Sequence, residues 1–232
     1  MITDLFNIID SIEIINLDER VDRFNRISSH LNNIGLNNRF NRFSAIKREH
    51  PELTRSENGR LGCFLSHCNV IENAYNNKQK YILVLEDDCE FIEDHVTHFD
   101  FLEFTKTIHT VEFDMVYLGA TYYHLESTLF PYLDKVKPYG CNAAFCVIIN
   151  IQSMFEKLVK VYQDEDYITN LAKNSRVDYS KTTIDGAYNF LNLNRYATNP
   201  ILATQHSSFS DIEQVNVSYP LVTMWKDAKS KI

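Results

Sequence analysis

The chain has 232 residues, 44% of them hydrophobic, enough to bury one large core, and no stretch approaches the roughly 18 apolar residues of a membrane span. Its formal charge of −8 argues against the broad basic surface that drives nucleic-acid binding, so an anionic substrate needs a local remedy, either a few placed arginines or a bound cation. The start, MITDLFNIIDSIEIIN, lacks the charged-then-apolar pattern of a secretion signal, which makes a cytoplasmic protein the expectation.

Ile12 to Asn16 reads as a short apolar strand. It leads into a helix whose Phe24, Ile27, Leu31 and Ile34 share one face and which Gly35 closes. Arg39 to Ile46 returns as a second strand. Thr54 and Glu57 have capping-box spacing, and the stripe Leu61, Phe64, Leu65, Cys68, Ile71 and Tyr75 predicts a helix from about Ser56 to Asn76. Tyr81 to Phe91 (YILVLEDDCEF) follows. Its run Ile82, Leu83, Val84, Leu85 has no alternation and fits a strand buried on both faces of a mostly parallel sheet.

Glu93 to Thr107 is amphipathic, and Phe113 to Gly119 reads as a strand. Ala143 to Ile149 is a second continuous apolar strand, and Ile151 to Tyr162 a helix with Met154, Phe155, Leu158 and Val161 facing inward. Glu165 to Lys181 is polar and unpatterned, a mobile loop or acceptor lid. Strand and helix alternate throughout, which predicts a single domain over residues 1–232, a three-layer α/β/α sandwich with a mainly parallel central sheet. Cys63, Cys68, Cys89, Cys141 and Cys146 form no CxxC pair and no zinc-type spacing with histidines, and read as reduced packing residues. Cys141 and Cys146 flank an apolar strand at a spacing that permits pairing, which a cytosolic setting disfavours.

The junction of strand and acids at Glu86, Asp87 and Asp88 carries the most chemistry. Open α/β sheets bind ligands at the carboxyl ends of their strands. Three adjacent anions there repel one another unless they are solvated or share a cation, and hard carboxylate oxygens suit Mg²⁺ or Mn²⁺ with a phosphate on the far side. An ordinary acidic turn and a phospho-acceptor pocket are the rival readings of the same string.

INLDERVDRF (Ile15 to Phe24), GRLGCFLSH (Gly59 to His67) and LVLEDDCEF (Leu83 to Phe91) resemble glycosyltransferase family 25, the sugar transferases of bacterial lipooligosaccharide synthesis and the procollagen galactosyltransferases. The likeness continues in order through YLGATYY, NAAFCVII, TTIDGAYNFL and NPILATQHSSFSDI. It implies a GT-A type fold with a donor-binding half over about residues 10–125 and an acceptor half over about 126–220. It also implies a UDP-sugar donor, Mn²⁺ or Mg²⁺, and inverting transfer of a hexose such as galactose or glucose to a glycan or a glycosylated or hydroxylated protein. A non-catalytic nucleotide-sugar binder retaining the fold is the alternative. The short chain, beginning at its first motif, favours a bacterial-style or viral cytoplasmic enzyme.

On that resemblance Asp87 and Asp88 are the metal ligands, bridging the donor diphosphate, with Glu86 orienting a ligand or an arginine. Asn16 ends the first strand, where GT-A folds hold base and ribose. Arg20 and Arg23 offer forked phosphate contacts, or else local ion pairs with Asp18, Glu19 and Asp22. His67 is either a packing residue or an active-site group positioning donor or acceptor, preceded by Arg60 and by Gly62, which permits close backbone approach to a ligand. Inversion needs a base for the acceptor hydroxyl. Asp185 is the leading candidate, with a helix N-cap as its competing role and Thr182 or Thr183 as competing caps, and Asp211 is the reserve base or a further metal or phosphate contact.

Overall fold

The structure is a computed structural model and describes residues 1–162, 183–212 and 215–217. The predicted lid at 165–181 and the competing cap Thr182 lie outside the described residues.

The central sheet is built from β1 (Ser11–Asn16), β2 (Asn41–Ser44), β3 (Tyr81–Glu86), β5 (Met115–Tyr122), β6 (Leu125–Ser127), β7 (Leu133–Val136), β8 (Cys141–Asn150) and β9 (Arg195–Thr198), in the order β2-β1-β3-β8-β5-β9-β7-β6. β2, β1, β3, β5, β9 and β6 share one direction, and β8 and β7 run against it. The continuous apolar run of β8 does not mark a parallel strand. It pairs antiparallel with β3 and β5, because the chain from β5 to β8 makes the β6–β7 excursion and no crossover helix, which a parallel return requires.

Each central strand serves two cores. In β3, Ile82 and Val84 pack on one face and Leu83 and Leu85 on the other, all four without exposed surface. Each such burial is worth roughly 1.5–3 kcal/mol, which is why the strand carries no polar alternation. One face is covered by α2 (Arg55–Asn76), α5 (Ile151–Met154) and α6 (Ile184–Phe190). The other is covered by α1 (Val21–Asn33), α3 (Glu93–His98), α4 (Phe101–Thr110) and a 3₁₀ turn at Ile2–Asn7.

α2 begins at its predicted box: the Thr54 hydroxyl accepts the Glu57 N–H at 3.2 Å, and the Glu57 carboxylate accepts the Thr54 N–H at 2.7 Å. The amphipathic stretch after residue 93 splits into α3 and α4, because Phe99 turns extended and Asp100 caps a new helix through the Glu103 N–H at 3.0 Å. After α5 the chain widens into a π turn at Phe155–Val159 and then a 3₁₀ turn at Lys160–Tyr162. The wider turn shifts the helix face, so Val159 is buried and Val161, expected inward, is 55% exposed.

Gly62 makes its close approach to protein and not to a ligand. A Cβ there would collide with the Ile46 carbonyl oxygen of the segment after β2. The five cysteines are unpaired. No helix among the described residues is long and apolar enough to cross a membrane.

Candidate active site

The carboxyl ends of β1, β2 and β3 meet at one edge of the sheet, where they leave Asn16, Ser44 and Glu86. Beyond Glu86 the chain turns through Asp87 and Asp88 into β4 (Cys89–Phe91), which pairs antiparallel with β10 (Ala203–Gln205). That pairing draws the late segment 205–212 back over the first helix, and the Asp88 carbonyl accepts the His206 N–H at 2.7 Å. Between these elements lies a cleft of about 600 Å³. It is lined by Asn16, Arg23 and Asp87, by Lys47, Arg48 and Arg55 of the segment before and into α2, and by Cys63, Glu86, Asp88 and Asp211.

The three acids differ sharply in surroundings. Asp87 is buried and fully partnered: Oδ2 accepts the Asn16 amide at 2.7 Å and Oδ1 accepts Arg23 Nη1 at 2.6 Å. Its backbone carbonyl accepts Arg26 Nη2 at 2.8 Å. Asn16 is itself fixed, donating to the Arg20 carbonyl at 3.0 Å and accepting Arg42 Nε at 2.9 Å. Burial still holds the Asp87 carboxyl above the usual range, opposed by Arg23 and Asn16. Asp88 has much weaker support. Among the described residues its carboxylate receives only the Gln205 amide, at 3.4 Å to each oxygen, and burial followed by the charges of Glu86 and Asp87 pushes it up to about 7.

Glu86 faces the helix. Its Oε1 lies 3.3 Å from His67 Nε2 and 3.8 Å from the Cys63 sulfur. Each Asp87 oxygen already accepts one hydrogen bond, from Asn16 or from Arg23, so a metal ion at Asp87 would compete with both partners. The unneutralised oxygens of Asp88 and Glu86 are the hard donor set that fits Mg²⁺ or Mn²⁺.

The arginines also sort themselves. Arg23 clamps Asp87 and donates through Nη2 to Ser208 Oγ at 2.9 Å and to the Phe209 carbonyl at 2.8 Å, so it ties the acidic turn to the late segment. Arg20, expected on phosphate or in a local ion pair, pairs with Asp22 at 3.0 Å and also with Asp211. Asp211, the reserve base, is thus held by that guanidinium, though it lines the cleft. Arg60 stands on α2 outside the cleft lining.

His67 is 1% exposed and reaches the cleft only through Glu86, with its Nδ1 3.3 Å from the Tyr188 hydroxyl. Asp185 is not the cap of α6, since Thr183 is: its hydroxyl accepts the Gly186 N–H at 3.0 Å. The Asp185 carboxylate accepts the Ala144 N–H of β8 at 3.0 Å, and burial, then the charge of Glu86, raises its pKa. Arg26, Arg42, Gln205, Tyr188 and the Lys47–Arg55 loop were missed in sequence. Each reaches the site through pairing of distant segments and carries no local pattern.

Glycosyltransferase family 25 (LPS biosynthesis protein) matches residues 9–164, a span that contains the whole of β1, α2 and the acidic turn. The chain belongs to glycosyltransferase family 25. This family 25 enzyme is a glycosyltransferase, built on a mixed α/β fold around a mainly parallel sheet. No curated protein matches it significantly.

Among solved structures, A197 from STIV aligns at a TM-score of 0.44 with 10% identity, covering 90% of this chain and 94% of that one. A glycosyltransferase involved in the glycosylation of the major capsid of PBCV-1 aligns at 0.37 with 11% identity, over 73% and 75%. A mannose-1-phosphate geranyltransferase from Thermus thermophilus aligns at 0.36 with 8% identity, over 80% of this chain and 58% of that one.

Proposed function

We propose that this glycosyltransferase moves a hexose from a UDP-sugar to a hydroxyl of a glycan or of a glycosylated or hydroxylated protein, with inversion at the anomeric carbon. The observation that carries this reading is the contrast within the acidic turn. Asp87 is paired with Arg23, while Asp88 and Glu86 stand in the cleft with no lysine or arginine in ion-pair contact among the described residues, Arg23 acting on Asp88 only from further off. Mn²⁺ or Mg²⁺ held by Asp88 with Glu86 would supply Lewis-acid stabilisation of the charge on the departing diphosphate.

The protein's own groups do the rest. Asn16, locked by Asp87 and Arg42, presents a rigid wall at the end of β1 for the nucleoside. Lys47, Arg48 and Arg55 line the same cleft, Lys47 in an ion pair with Glu19 at 2.8 Å, and bring positive charge for an anionic donor in a chain of charge −8. Asp185 is the proposed base. Its raised pKa brings it nearer the working pH, where a base takes a proton most effectively.

The test is UDP release from a panel of UDP-sugars with Mn²⁺ and with EDTA. Turnover of one donor that stops in EDTA and in Asp185→Asn supports the reading. Turnover unaffected by EDTA removes the metal, and normal turnover in Asp185→Asn removes the base.

A further inference from the structure

Cys63 and His67 stand four residues apart on α2, one turn from each other, and both face Glu86 at the end of β3. We propose that Cys63, His67 and Glu86 form a three-ligand binding site for a borderline transition-metal ion, Zn²⁺ foremost, next to the hard-ion position at Asp88, with the Glu86 carboxylate shared between the two.

The donor atoms already stand close to the spacing an ion requires. His67 Nε2 and Glu86 Oε1 are 3.3 Å apart, the Cys63 sulfur and the same oxygen 3.8 Å apart, and the three donor atoms all lie within 4.8 Å of one another. A tetrahedral zinc ion with bonds of about 2.0–2.1 Å to nitrogen and oxygen and about 2.3 Å to sulfur keeps its donors roughly 3.3–3.6 Å apart. The nitrogen–oxygen separation is already there, and the sulfur needs only a small side-chain adjustment.

The surroundings are those of a held ligand. The far nitrogen of His67 meets the Tyr188 hydroxyl at 3.3 Å, and the two rings cross edge to face at 6.2 Å. A partner on the far nitrogen fixes the imidazole's orientation and raises its basicity as a ligand. Cys63 and Glu86 open on the cleft while His67 is sealed behind them, so the fourth position of a tetrahedral ion would face the cleft and take water or a substrate oxygen.

Donor chemistry separates this site from the diphosphate ion. Thiolate and imidazole select zinc or cobalt, whereas carboxylate oxygens alone suit magnesium or manganese. A role for Cys63 as a reactive thiol is disfavoured, since burial and then the charge of Glu86 hold it protonated, and a metal binds by displacing that proton.

Untagged protein, stripped with chelator and titrated with Co²⁺, gives the direct reading, because a thiolate bound to cobalt absorbs in the near ultraviolet. The expected result is one cobalt per chain with that band, bleached by one equivalent of Zn²⁺. Cys63→Ser abolishes the band, Tyr188→Phe keeps it and weakens zinc binding about tenfold, and Asp88→Asn leaves it unchanged. Circular dichroism confirms that Cys63→Ser is folded; if it is not, Glu86→Gln, which must weaken zinc binding at least about tenfold, takes its place. No band in the parent protein, a band that survives Cys63→Ser, undiminished zinc binding in Glu86→Gln, or a band lost in Asp88→Asn overturns the site. None of these readouts uses a sugar donor, so they stand or fall apart from the donor assignment.

Discussion

Replacing Arg23 by Met keeps the apolar length of the side chain and removes its charge. In the folded protein the Arg23 and Asp87 side chains are only 11% and 10% exposed, so water screens their 2.6 Å contact poorly. Losing the cation strands a buried carboxylate, and breaking one partner of such a pair costs about 3–5 kcal/mol. The Asn16 amide still donates to Asp87 at 2.7 Å, which places the expectation near the lower end, about 3 kcal/mol. For a domain of this size each kcal/mol lowers the melting temperature by roughly 2–4 °C, so Arg23→Met melts roughly 6–12 °C below the parent.

The sign of the coupling is the sharper test. Asp87→Asn in the Arg23→Met background removes the stranded charge and keeps an oxygen for Asn16, so the double variant is more stable than Arg23→Met alone, with a coupling of about 2 kcal/mol. Guanidinium denaturation of the parent, both single variants and the double variant measures it. Strict additivity, or an Arg23→Met variant within about 0.5 kcal/mol of the parent, would refute the clamp and return Arg23 to the role of a free phosphate ligand.

Two further perturbations follow from the same geometry. Gly62→Ala places a methyl group against the Ile46 carbonyl oxygen, a backbone atom with little freedom to move, and destabilises by about 1–3 kcal/mol; an unchanged melting curve would remove the close contact between α2 and that loop. Asp185 is a carboxyl whose folded pKa is raised, so it must lose its proton at higher pH than an ordinary carboxylate near about 4. The rate as a function of pH therefore rises through a limb above that value. Because the unfolded chain ionises first, the group's contribution to stability falls as pH rises from the ordinary value through the raised one. Asp185→Asn, whose amide oxygen still accepts the Ala144 N–H, is then at least as stable as the parent at neutral pH while turnover is lost. An acidic limb at the ordinary carboxylate value, or a destabilised Asp185→Asn, contradicts this.

What could be read in the sequence was what local chemistry determines. The Thr54–Glu57 box, the two-faced burial of Ile82 to Leu85 and the left-handed Gly35 that follows α1 depend on residues a few positions apart, and all three are where the pattern placed them. The direction of β8 was hidden, since a strand buried on both faces reads alike whichever way it runs. The inward face of the chain after residue 154 was misread because a π turn changes the period that the argument relies on.

At the site, composition located the acidic turn but could not divide its labour. Asp87 and Asp88 are adjacent and chemically identical. They are separated by partners brought from elsewhere: Arg23 and Asn16 on the first βα unit for one, Gln205 on β10 for the other. For Arg20 the sequence left a phosphate contact and a local ion pair open; the pair with Asp22 is local, while the pair with Asp211, 191 positions away, carried no local signal.

The central claim is that a divalent cation held by Asp88 and Glu86, and not by Asp87, grips the diphosphate of the donor. Calorimetric titration of UDP into the protein with Mn²⁺, with EDTA, and with Asp88→Asn in Mn²⁺ tests it. The account predicts that UDP binds with Mn²⁺, that EDTA removes most of the affinity, and that Asp88→Asn loses at least about tenfold, or about 1.4 kcal/mol. Equal UDP affinity in all three titrations contradicts it.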